Sequence, residues 1–111
     1  MPDLEARRML IATRLRKARE MAGLSQGQVA RMLKFHRPTI SESEAGRRRV
    51  SAEELAEMAK IYGVSVSWLA AENVKSADPE RDRIELAARK LSTLKPADLE
   101  RLLKVIHALR G

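Results

Sequence analysis

The chain is 111 residues long, 33% charged, and carries a net charge of +7 at pH 7 with no cysteine. A chain this short holds one modest core, and the missing thiols exclude disulfides, thiol catalysis and cysteine-based zinc sites. Aromatics are only 3% and the helix formers Ala, Leu, Arg, Lys and Glu dominate, so the expected fold class is all-α.

The charge is one-sided. Residues 1–50 hold 12 Lys and Arg against 5 Asp and Glu, whereas residues 51–111 hold 10 against 10. A basic first half points to a polyanion partner, or to a solvated Arg-rich helix face. No apolar run approaches roughly 18 residues, so no membrane span is expected. Met1–Glu5 lacks signal-peptide character, which makes the expected location cytoplasmic.

A first helix from about Leu4 to Ala22 follows from the spacing of Leu4, Ile11, Leu15, Ala18 and Ala22, with Gly23 ending it. The first helix has no broad apolar face flanked by aromatics, which argues against membrane-surface binding. Ser25 and Gln28 form a capping box that opens a second helix, stapled by Leu24 and Val29; Val29, Ala30 and Leu33 face inward. After a break at Lys34-Phe35-His36, Pro38 suits the first turn of a third helix that runs to Ala45, and Gly46 stops it. Arg47-Arg48-Arg49 is a basic loop. Ser51 and Glu54 repeat the capping box for a fourth helix through Tyr62, and Ser65 caps a short fifth helix that contains Trp68.

Residues 73–79 read as a linker. Asp78-Pro79 starts a sixth helix with Ile84, Ala87, Leu91 and Leu94 along one face. Pro96 starts a seventh, in which Leu99, Leu102, Leu103, Ile106 and Leu109 form an apolar stripe. Two helices over residues 80–111 are too few for a core of their own. The stripe therefore needs cover, from the first domain, from a second copy or from another protein. A homodimer is the favoured expectation.

From Leu24 to Gly46 the residues suit two short helices crossing steeply. Ala30 is small where they touch, Phe35 anchors the turn and Ile40 lies on the inner face, leaving Arg37, Thr39, Ser41 and Glu42 outside. Leu24-Ser25-Gln26, Ala30, Thr39-Ile40-Ser41, Glu44-Ala45-Gly46 and Val64-Ser65-Val66-Ser67-Trp68-Leu69 resemble the lambda-repressor/Cro-like helix-turn-helix proteins, the XRE family, over about residues 11–72. The resemblance implies a five-helix DNA-binding domain at residues 1–72, with its motif at about 25–46, followed by the two-helix C-terminal extension. It implies a dimer on a near-palindromic operator, acting as a transcription regulator, with repression of its own operon as the expected mode. Short members often sit in phage, mobile-element or toxin–antitoxin operons. A toxin, an antirepressor or a protease is then a possible partner, and an antitoxin or a protein-interaction adaptor is the alternative function.

Carried over by position, Arg37, Pro38, Thr39, Ser41 and Glu42 are candidates to contact bases. Gln26, Lys34, His36, Arg47, Arg48 and Arg49 are candidates to contact the DNA backbone. Arg37 reads guanine O6/N7 or clamps a phosphate. Glu42 is a surface charge or accepts from a cytosine N4, and Pro38 shapes the helix start or touches a thymine methyl. Two positions depart from the family pattern. Lys34 stands where the turn usually has glycine, a substitution that costs roughly 1 kcal/mol if the backbone is left-handed. Ser43 stands where a buried apolar residue is usual. His36, a single histidine at a helix start, suits capping or a phosphate contact rather than a metal. His107 has no neighbouring ligand set and reads as a surface or interface histidine, and no nucleophile–base pair or glycine-rich phosphate loop appears. No enzymatic activity, metal or cofactor is expected.

Overall fold

The computed structural model describes residues 3–72 and 79–109, with the Pro79 side chain excepted. Within them the chain forms α1 (Leu4–Met21), α2 (Gln26–Leu33), α3 (Arg37–Glu44), α4 (Ala52–Tyr62), α5 (Val66–Leu69), α6 (Pro79–Ser92) and α7 (Pro96–Leu109), with no strand among the described residues. The fold is all-α, with five helices followed by two C-terminal helices among the described residues. The linker expected at residues 73–79 lies, Pro79 apart, outside the described residues.

The helix starts follow the serines. Ser25, Ser51 and Ser65 each accept, at 3.1 Å, from the backbone N–H three residues on. Gln28 and Glu54 return the bond to the cap N–H at 2.8 Å. Each cap satisfies donors that a helix cannot satisfy itself, and each contributes about 1 kcal/mol. Asp3 does the same for α1, accepting from Ala6 N–H at 2.7 Å.

The helix ends share a second device. The N–H groups of Leu24, Phe35, Arg47, Val64 and Glu72 fold back to the carbonyls of Arg19, Ala30, Glu42, Ala59 and Ser67, each five residues earlier. This is the Schellman motif, which needs a left-handed residue just past the cap. Gly23, Gly46 and Gly63 supply it at three ends, and Lys34 (φ 59°) and Ala71 (φ 58°) at the other two.

These short, tightly punctuated helices enclose one core. Leu15 and Ala18 of α1, Val29 and Ala30 of α2, Ile40 of α3, Leu55, Met58, Ala59 and Tyr62 of α4, and Trp68 and Leu69 of α5 pack together. Each large apolar side chain buried there contributes roughly 1.5–3 kcal/mol. Leu4, expected on the apolar face of α1, is 82% exposed, and Leu10 and Ala12 are buried instead.

Helix α6 adds Leu86 to this core and presents a different face from the one its apolar spacing suggests. Ile84, Leu91 and Leu94 are exposed, whereas Asp82 and Leu86 are buried. Asp82 takes the inner face because Arg14 of α1 meets it there, Nε to Oδ2 at 3.0 Å and Nη2 to Oδ1 at 2.8 Å. The same guanidinium donates to the Trp68 carbonyl at 2.6 Å and lies 4.8 Å from the Trp68 ring centre. One turn beyond Leu86, Lys90 Nζ donates to the Tyr62 carbonyl at 2.8 Å. It thereby satisfies an orphan acceptor at the end of α4 with a positive charge, as the helix dipole favours. Helix α7 has no buried residue.

Candidate nucleic-acid interface

Helix α3, the centre of the candidate interface, is fixed from its inner side. Ile40 and Ser43 point inward and are buried. The Ser43 hydroxyl donates to the Thr39 carbonyl at 2.8 Å and lies 3.3 Å from Arg48 Nη1. A polar residue is tolerated at this buried position because its hydroxyl is fully engaged.

At the far end of α3, Glu44 is the tie between three helices. Arg19 of α1 grips it through Nε to Oε2 at 2.7 Å and Nη2 to Oε1 at 3.0 Å. Gln26 of α2 donates to Oε1 at 3.2 Å. The carboxylate is 5% exposed and the guanidinium 12%. The hydrogen bond that Arg19 donates to Glu44 is the first reason that the Arg19 pKa stands above its ordinary value. A bidentate buried pair of this kind fixes geometry as well as charge.

The turn into α3 is tight. Lys34 takes φ 59° and ψ 37°. Lys34 N–H reaches the Arg31 carbonyl and Phe35 N–H the Ala30 carbonyl, while Phe35 packs against the core. The lysine absorbs the left-handed strain, with no rearrangement of the turn. His36 is the N-cap residue, makes no side-chain capping bond and is exposed. Pro38 falls in the first turn.

With one side of α3 locked, its other side is polar. Arg37 and Pro38 are exposed, and Thr39, Ser41 and Glu42 are half-buried. The basic candidates divide into two groups. Lys34, Arg37 and Arg49 are exposed and make no ion pair among the described residues. Arg47 and Arg48 are engaged within the chain. Arg48 pairs with Glu54 (2.7 and 3.2 Å) and lies 6.0 Å from the Phe35 ring centre. Arg47 holds Glu42 through Nε to Oε2 at 2.7 Å and Nη2 to Oε1 at 3.3 Å. Hydrogen bonds from these arginines hold the Glu42 and Glu54 carboxyls below the usual carboxylate range.

The expected site residues thus gather around α3, and the stripe Leu99, Leu102, Leu103, Ile106 and Leu109 lies apart on α7. Leu103, Ile106 and Leu109 are exposed, Leu99 and Leu102 partly covered. Sequence reasoning missed the Arg19–Glu44–Gln26 tie and the Arg14–Asp82 pair. Arg14 carried a signal, since it falls four residues from Leu10 and from Ala18 on the inward face of α1. Among the described residues no group of three or more His, Asp or Glu side chains could hold a metal ion. Among the described residues no helix is long and apolar enough to cross a membrane.

Two short helices joined by a tight turn, the second clamped on its inner side and polar on its outer side, define the helix-turn-helix class of DNA-binding domain. The chain belongs to the helix-turn-helix domain family, whose model matches residues 10–71. No match is found among curated proteins.

Proposed function

We propose that the protein is a sequence-specific regulator of transcription that binds double-stranded DNA as a homodimer and represses its own operon. The observation that carries this reading is α3 itself. Its outer face offers Arg37, Pro38, Thr39, Ser41 and Glu42 on a helix held rigid from behind by Glu44. A helix presented this way fits the major groove, where side chains can distinguish base pairs. Lys34 and His36 before α3, Arg49 after it and Gln26 at the start of α2 suit the flanking phosphates, and Arg48, though paired, lies in the same loop.

The apolar face of α7 supports the homodimer. Leu103, Val105, Ile106 and Leu109 are all exposed, and pairing with a second copy covers them while bringing two recognition helices to bear on a palindrome. The same face supports a second reading, in which it binds a toxin, an antirepressor or a protease and the protein is an antitoxin or adaptor. A phage, mobile-element or toxin–antitoxin operon suits either reading.

The test is fluorescence anisotropy with the DNA just upstream of its own gene against scrambled competitor, at about 50 and 200 mM salt. Preference for that DNA at both salts, lost in Arg37→Ala, is the expected result. Binding that ignores sequence and collapses with salt contradicts sequence-specific regulation of its own gene.

A further inference from the structure

The Arg47–Glu42 pair is set by backbone geometry more than by side-chain chance. The Schellman motif at the end of α3 runs from Arg47 N–H to the Glu42 carbonyl at 3.0 Å and from Gly46 N–H to the Ser43 carbonyl at 3.3 Å. In this motif the residues at its two ends stand side by side, and here they are a carboxylate and a guanidinium. Gly46 is required by its backbone, whose φ is +77°. A Cβ there would meet Met9 Sδ of α1, but the Met9 side chain is half-exposed and able to move. The turn therefore returns Arg47 to Glu42 in a fixed register.

Glu42 lies two residues from Ile40 and one from Ser43, both buried, and so falls on the outer face of α3, to one side of Pro38. A bare carboxylate there is repelled by DNA phosphates. The Glu42–Arg47 pair as a whole carries no net charge. The two hydrogen bonds occupy one acceptor site on each carboxylate oxygen, and the remaining lone pairs stay open. In the major groove such an acceptor can take an amino hydrogen from cytosine N4 or adenine N6, and an acceptor-only carboxylate favours cytosine because adenine presents its N7 acceptor beside N6.

We infer that Arg47 is a specificity-determining positioning residue. It neutralises and orients the Glu42 carboxylate so that Glu42 accepts from a cytosine N4, and Arg47 acts on DNA through Glu42 more than through a phosphate. This rests on the DNA-reading role of α3 proposed above. It separates the three arginines of the loop by task. Arg47 orients a base reader, Arg48 is held by Glu54 and Ser43, and Arg49 alone extends without an ion pair among the described residues.

The test is selection from a random-sequence duplex library with the full-length protein, alongside Glu42→Gln, Arg47→Ala and Arg49→Ala, each checked for a native melting curve. The salt dependence of binding to the wild-type selected duplex is then measured for all four. The wild-type pool is expected to fix cytosine at one position in each half-site, by about tenfold over other bases. Both Glu42→Gln and Arg47→Ala lose that preference. Arg49→Ala keeps the cytosine and lowers the slope of log K against log salt by about 0.9 for each phosphate that the arginine had neutralised. If Arg47→Ala keeps the cytosine and lowers the slope in the same way, Arg47 is a phosphate ligand and the inference is overturned. If the pool fixes other positions but no cytosine responds to Glu42→Gln, the inference falls and the regulator reading stands. If no position is enriched, the regulator reading itself falls, and the inference with it.

Discussion

Lys34 holds a left-handed backbone (φ 59°) at the end of α2, where a residue without Cβ has no penalty. Lys34→Gly removes a strain of about 1 kcal/mol. The melting temperature is expected to rise by about 4 °C in thermal denaturation followed by circular dichroism. If Lys34 also meets a phosphate, the same variant binds DNA less tightly with a smaller salt slope, so stability and affinity move in opposite directions. A second residue-scale prediction concerns Glu54, whose carboxyl Arg48 holds below its ordinary value of 4.5. A depressed folded-state pKa contributes stability that is present above 4.5 and is lost as the pH falls through the folded-state value. Glu54→Gln is therefore expected to lose stability at neutral pH and to show a shallower decline below pH 4.5 in urea melts. Parallel acid limbs in the two proteins would contradict this.

Among the elements, α3 and α6 are held by buried ion pairs, and removing one partner leaves the other charge stranded. Glu44→Ala strands Arg19 and unties α1, α2 and α3. Asp82→Ala strands Arg14 beneath α6. Each is expected to destabilise by about 3 kcal/mol in denaturant unfolding. Trp68, the chain's one tryptophan, stacks on Arg14 and reports the second case directly, by a change in its emission before global unfolding. These elements also mark how far the fold was legible in the sequence. The helix starts at Ser25, Ser51 and Ser65 were readable because a capping box is written within four residues. The outer face of α3 was readable because Ile40 and Phe35 anchor the motif locally. The face of α6 was not, because Asp82 is an inner residue only by virtue of Arg14, 68 positions away. Periodicity counts apolar residues and cannot see a carboxylate whose partner arrives from another helix. The pairing of Arg47 with Glu42 escaped for a nearer reason. A run of three arginines looks uniform, and only the turn at Gly46 assigns each a different neighbour.

At the scale of the whole molecule, α1–α6 share one core, and α7 carries an apolar face with nothing buried. On the proposed reading that face joins two copies, and dimerisation multiplies affinity for a two-half-site operator. Leu103→Glu with Ile106→Glu places charges on the stripe without touching the core. Sedimentation is expected to show a monomer, with DNA affinity at least about tenfold weaker and the melting of the helix-turn-helix domain unchanged. A dimer that persists would move the interface off α7. The most direct test of the central claim, that α3 is the surface that reads DNA, is a backbone amide NMR titration of the full chain with a duplex selected by the wild-type protein. The account predicts shifts concentrated at Gln26, Lys34–Glu42 and Arg49, with the buried face of α6 silent. Shifts confined to α6 and α7, with α3 unmoved at saturating DNA, would contradict it.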